Sequence, residues 1–201
     1  FRDRRDGKLK WDAFTPYEVR TVGSFVRLGW RERANEAVEF FMRHRQPAGW
    51  RQWAEVAYPD PRAPKYIGDM PHTWVGSDFV RSVLDMLAYE RARDSTLVVA
   101  AGVPWSWLEH EAGKPPRSTG TLQVRGMRTI YGPVEYTMSA RDDTVEVALG
   151  AGMRIPPGGI VVIPPARRTF HHATVDGNPA PLTPEGGVVV RDLPARVVLM
   201  P

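Results

Sequence analysis

Two short runs of this chain bring aromatic rings and carboxylates close together. The first is Gly49-Trp50-Arg51-Gln52-Trp53-Ala54-Glu55, and the second is Asp69-Met70-Pro71-His72-Thr73-Trp74. Carbohydrate sites are assembled from the same parts. Flat aromatic faces lie against the C–H surfaces of sugar rings, and carboxylates move the protons of glycosidic chemistry. Tyr58 stands between the runs and adds a third type of group, a phenol on an aromatic face. Tryptophans near helix ends also serve as wedges in helical cores, and loop carboxylates are commonly just solvated. What marks these residues is that they occur together in one stretch. His72 has no second ligand at metal-binding sequence spacing, so packing or a hydrogen bond to substrate is expected of it, and no metal. His171 and His172 are neighbours on a predicted strand, point to opposite faces and share no ion. Gly150-Ala151-Gly152 lacks the strand–turn–helix setting of a dinucleotide loop, and nothing resembles a phosphate loop, so no cofactor is expected.

The stretch that carries these groups, Arg45 to about Pro71, is aperiodic and punctuated by Pro47, Pro59, Pro61 and Pro64. Loops of this length inside compact domains tend to be functional. Helices flank it. Thr15-Pro16-Tyr17-Glu18 reads as a helix start, with a capping hydroxyl, a proline at the first position and a glutamate placed to reach back. Val19, Val22 and Val26 follow at helical spacing, and Gly29 ends the segment. A second helix is expected from Arg31 to about His44, burying Ala34, Ala37, Val38, Phe41 and Met42. The short link makes the two an antiparallel hairpin. A third helix is expected from about Thr73 to Arg91, with Phe79, Val80, Val83, Leu84 and Leu87 as its buried stripe.

Past residue 108 the character changes. All seven tryptophans lie before it, and Gly, Pro and Val dominate after it. This shift divides the chain into a helical segment, 1–108, and a second domain, 109–201, with the boundary in Glu109–Gly120. The second part reads as short strands at 121–125, 134–140, 144–149, 159–163, 169–176, 187–191 and 196–200, with 97–101 as an eighth. Asp142-Asp143, Pro156-Pro157-Gly158-Gly159 and Asp176-Gly177-Asn178-Pro179 separate them as turns. That pattern predicts an antiparallel β-sandwich.

Composition narrows the function classes. With 42% hydrophobic and 25% charged residues, the 201-residue chain is globular rather than disordered. No stretch is long and apolar enough for a membrane span. The absence of cysteine excludes disulfides, zinc ribbons, iron–sulfur ligation and thiol catalysis. The net charge is +4, yet acids and bases interleave in both halves with no basic stripe, so nucleic acid is not the expected partner. The chain opens on Phe1 and a charged run, which is too polar for a signal-peptide core. A processed or partial chain is expected, with any export signal upstream.

The order of parts resembles the C-terminal end of a six-hairpin, (α/α)6-barrel glycosidase followed by its β-sandwich. Asp69-Met70-Pro71-His72-Thr73-Trp74-Val75 looks like the aromatic-rich helix entry of that superfamily, and Glu55 stands on the long loop before it. The tail Ala173-Thr174-Val175-Asp176-Gly177-Asn178-Pro179, followed by Gly187-Val188-Val189-Val190-Arg191, is similar to strand turns of the accessory sandwiches. The whole chain also resembles the C-terminal segment of large bacterial proteins with discoidin-type domains upstream. The resemblance implies the last helical hairpins of an (α/α)6 toroid followed by an antiparallel β-sandwich. The toroid's remaining helices and the general acid would lie upstream in the same polypeptide. It implies hydrolysis of a glycosidic bond with inversion, Glu55 activating water, Asp69 and His72 holding the sugar, and Trp50, Trp53, Trp74 and Tyr58 walling it. The partner would be an oligo- or polysaccharide, met in the periplasm or outside the cell. A carbohydrate-binding module without chemistry is the first alternative, and an arginine-based nucleic-acid-binding domain the second.

Overall fold

The computed structural model describes residues 1–66, 68–108, 120–165 and 168–201. The chain forms two compact units, Phe1–Asp85 and Met86–Pro201. A helical segment is thus followed by a two-sheet, sandwich-like region.

The first unit begins with a single turn, α1 (Arg2–Arg5), and a 3-10 turn (Pro16–Val19) leads into α2 (Arg20–Arg27). Thr15 makes no side-chain cap, and Glu18 pairs with the Arg4 guanidinium instead of reaching back. The expected capping box is therefore not formed. The end of α2 follows its sequence signal closely. Gly29 takes φ +74°, its N–H reaches Val26 C=O at 3.0 Å, and the Trp30 N–H reaches Phe25 C=O at 2.8 Å. The Phe25 and Trp30 rings then meet at 5.7 Å, the apolar contact that accompanies this type of helix stop. α3 (Arg31–Arg43) starts at once and packs against α2, burying Ala34, Ala37, Val38 and Phe41 as expected. Phe40 joins them, while Met42 is exposed at 41% because it lies one position off the buried face.

α4 (Thr73–Leu87) differs most from its sequence pattern. Val80 and Leu84 are exposed, and the buried face carries Val75, Ser82, Asp85 and Met86. Specific polar bonds explain the rotation. Ser82 Oγ donates to Val19 C=O at 3.0 Å, and Arg27 donates to both Asp85 carboxylate oxygens at 3.0 and 2.7 Å. Gly23 clears the space: a Cβ there would lie 2.7 Å from Asp85 Oδ2. The helix also ends sooner than expected. Gly102 N–H binds Met86 C=O at 3.0 Å and Ala100 N–H binds Leu87 C=O at 2.8 Å, all within the second unit, to which these last helical residues belong. The chain then enters β1 (Ala88–Arg91), paired antiparallel with β2 (Thr96–Val99). The compositional boundary at Glu109–Gly120 thus follows two strands of the second unit rather than preceding it; most of that stretch, 109–119, lies outside the described residues.

The second unit continues with β3 (Thr121–Thr129), β4 (Gly132–Arg141), β5 (Thr144–Leu149), β6 (Ile160–Val162), β7 (His172–Val175), β8 (Asn178–Pro179), β9 (Val188–Val190) and β10 (Ala195–Met200). One sheet has the order β1-β2-β6-β9 and the other β3-β4-β5-β10-β7-β8. Pairing is antiparallel except between β2 and β6, which run parallel. Buried residues of both sheets, among them Leu97, Ile160, Tyr136, Val147 and Leu199, form one core. Burial pushes the Tyr136 phenol well above the usual tyrosine range, and its hydroxyl donates to Leu87 C=O at 3.0 Å. The Asp176-Gly177 turn has positive φ at both residues, the requirement of a two-residue type I′ hairpin. Trp105 packs against this core, whereas Trp107 is 38% exposed.

Replacing Asp85 by Ala should cost about 2–3 kcal/mol, since it removes both carboxylate bonds to the partly buried Arg27 guanidinium. Gly23→Ala should also destabilise, but the two together should be less than additive, because removing the carboxylate vacates the space the new methyl needs. Urea denaturation of the four proteins, followed by helical circular dichroism, checks both.

Candidate functional site

The long stretch between α3 and α4 is irregular, as its composition predicts, yet it is firmly held. Ala54, Ala57, Tyr58 and Trp53 are buried. Phe14 and Ala57 exchange backbone hydrogen bonds at 3.0 and 2.9 Å, and the Tyr58 N–H donates to Gln46 Oε1 at 3.1 Å. The Tyr58 hydroxyl donates to Tyr66 C=O at 2.5 Å and accepts from Tyr66 N–H at 2.8 Å. Tyr58 is therefore a clamp within the loop, with its polar end used by the backbone rather than presented to a ligand.

The two chemistry-bearing runs lie side by side. The His72 N–H donates to Trp53 C=O at 2.7 Å, and the Glu55 N–H donates to Asp69 C=O at 3.1 Å. Glu55 Oε2 accepts the Asp69 N–H at 3.0 Å, while no described residue donates to Oε1. Gly68, at φ +62°, makes this possible, because a Cβ there would sit 2.2 Å from Glu55 Oε2. Donor atoms of Glu55, Asp69 and His72 consequently lie within 4.8 Å of one another, although 14 residues of sequence separate the first two. This is a set of two carboxylates and an imidazole that could hold a divalent cation. The sequence offered His72 no ligand partner at motif spacing; the fold supplies two.

The two ring nitrogens of His72 have different surroundings. Nδ1 faces the Asp69 carboxylate at 3.8 Å, and Nε2 hydrogen-bonds the Tyr17 hydroxyl. Desolvation, then the Glu55 carboxylate, raises the Tyr17 pKa; Asp69 and Asp78 add to the effect and Arg20 opposes it. The phenol thus stays protonated at neutral pH beside His72. Tyr17 also lies against Trp74, ring centroids 6.0 Å apart. No local signal in the sequence could have flagged Tyr17, which is 55 residues from its partner.

The tryptophans divide in role. Trp50 and Trp74 are exposed at 55% and 66% and leave free faces. Trp53 is only 5% exposed and packs on Phe79 at 5.0 Å, so it is a wall fixed in the core rather than a free platform. Trp53, Phe79 and His72 border a groove of about 540 Å3, within the size range of small-molecule sites. Arg45 and Arg51 line the same groove.

No family model matches the chain, and no curated protein or solved structure matches it either. No helix among the described residues is long and apolar enough to cross a membrane.

Gly68→Ala should destabilise the protein by more than about 1 kcal/mol, from left-handed backbone strain and overlap with Glu55. Glu55→Ala should relieve that only in part, because the Glu55 Cβ itself would lie 2.8 Å from the new methyl. Thermal denaturation of the single and double variants measures this. Tyr17 should titrate above ordinary tyrosine, read as the ultraviolet difference between wild type and Tyr17→Phe across alkaline pH.

Proposed function

We propose that this chain is part of a carbohydrate-active protein whose helical unit holds an oligo- or polysaccharide, with Glu55 as the base that activates water for glycosidic hydrolysis. The observation that carries this reading is the placement of Glu55. Its carboxylate is held by the Asp69 amide, beside Asp69 and His72, with Oε1 left for a water. Lys65, a candidate outward partner, pairs with Asp12 instead, and Arg51 makes no ion pair with a described residue. Trp74 extends from the same cluster through Tyr17 and offers the exposed face a sugar ring needs.

The separation of the carboxylates assigns their roles. An inverting pair stands roughly 6.5–9.5 Å apart, leaving room for a water. With donor atoms within 4.8 Å, Glu55 and Asp69 do not span that gap, so Asp69 is not the opposing acid. Asp69 and His72 instead bind sugar hydroxyls, and the acid comes from elsewhere in the polypeptide. That agrees with the proposal that this unit supplies the last hairpins of an (α/α)6 toroid. The exposed Val80 and Leu84 on α4 support it, since toroid helices bury apolar residues against neighbours on both sides. The same reading places the protein in the periplasm or outside the cell.

Glu55→Gln in the full-length polypeptide should abolish turnover on a glycan panel, with at least a ~100-fold loss typical of removing a general base. Binding measured by calorimetry should persist. Turnover unchanged by the substitution would remove Glu55 from the mechanism. Binding without turnover by the wild type would assign the site to a non-catalytic module.

A further inference from the structure

The groove beside the carboxylate cluster has an electrostatic character that its sugar-binding role alone does not require. Arg45 and Arg51 both line it, and no carboxylate among the described residues does. Many arginines of this chain are satisfied by acids: Arg20 by Asp78, Arg27 by Asp85, Arg91 by Asp94 and Glu185. Arg45 and Arg51 have no such partner among the described residues. Arg45 is also partly buried, and its Nε is enclosed without any hydrogen-bond acceptor. A buried cationic donor left unsatisfied is unfavourable unless an acceptor arrives. The groove also receives the first residues of α4, Thr73 and Gly76, the end at which a 15-residue helix favours negative charge. Trp53 and Phe79 add apolar lining to the same groove.

We infer that this groove is a subsite for an acidic sugar, a uronate unit whose carboxylate is gripped by Arg45 and Arg51 while its ring lies along Trp53 and Phe79. The inference rests on the glycan reading above and names its substrate class. Planar guanidinium groups match a carboxylate in geometry as well as charge. A neutral sugar's hydroxyls could accept from the same guanidinium groups but would not match their charge. His72 lies on the border between the groove and the Glu55–Asp69 pair, so a chain seated by its uronate would present a neighbouring bond to Glu55.

The test compares two probes on the full-length polypeptide: a galacturonate hexamer and the same hexamer after carboxyl reduction. Binding is read by calorimetry and by tryptophan fluorescence. The acidic chain should bind at least ~10-fold more tightly, the worth of hydrogen bonds to a charged group. Arg51→Gln, at an exposed position, should lose most of that preference. Arg45→Gln should do the same, with circular dichroism confirming that it folds. Equal binding of both probes, or Arg variants that keep the full preference, would overturn the acidic subsite and leave the glycan reading intact. Failure of both probes to bind would overturn the two together.

Discussion

The candidate site depends on a short backbone clamp between two segments that have no regular structure of their own. Trp53 C=O holds His72 N–H, Glu55 and Asp69 share a backbone bond, and Glu55 Oε2 closes the set on the Asp69 amide. Each bond is worth only about 1 kcal/mol net, yet three within five residues of each segment fix the register between the runs. Register is what matters for chemistry here. The clamp places Glu55, Asp69 and His72 together, aims Trp53 inward and starts α4 at Thr73. Gly68 is the position that permits it, because no side chain fits between its backbone and Glu55.

Residues and loop were legible in the sequence; their mutual arrangement was not. Composition alone singled out Trp50, Trp53, Glu55, Tyr58, Asp69, His72 and Trp74, and the fold gathers Glu55, Asp69 and His72 into one cluster. The Tyr58 hydroxyl bonds the Tyr66 backbone, a use the sequence cannot show, because an aromatic in a loop looks the same whether its hydroxyl meets a ligand or the loop itself. Trp53, expected as a stacking wall, is held against Phe79 in the core, and its type and position in the loop do not distinguish the two uses. Tyr17, Arg45 and Phe79 were missed because their relevance is created by long-range packing.

The same contrast runs through the fold. Features written in local chemistry, such as the Gly29 helix stop and the Asp176-Gly177 turn, formed where expected. Features set by partners far along the chain did not. Val80 and Leu84 of the α4 stripe chosen by hydrophobicity face solvent, and Ser82 and Asp85 take buried positions because Val19 C=O and Arg27 meet them there. A carboxylate bound by two guanidinium nitrogens at 3.0 and 2.7 Å can belong to a buried face, which a periodicity argument assigns to apolar residues alone. The strands were found from their turns, but the parallel β2–β6 pair joins segments separated by the intervening hairpins, and nothing local encodes that.

His72 shows why the groove and the carboxylate pair form a single chemical arrangement. Its imidazole separates a compartment with two arginines from one with two carboxylates. Asp69 and Arg51 are exposed to solvent, which weakens the attraction between the two sets, and Arg45 and Arg51 make no ion pair with Glu55 or Asp69. Two restraints keep them apart. Glu55 is turned toward the Asp69 amide, and His72 is held in place by the Tyr17 hydroxyl on one side and Trp53 C=O at its backbone. Both sets of charges therefore remain available to a ligand that carries matching groups a short distance apart. An acidic sugar chain has that pattern: a carboxylate on one unit, and hydroxyls and a polar glycosidic bond beside it.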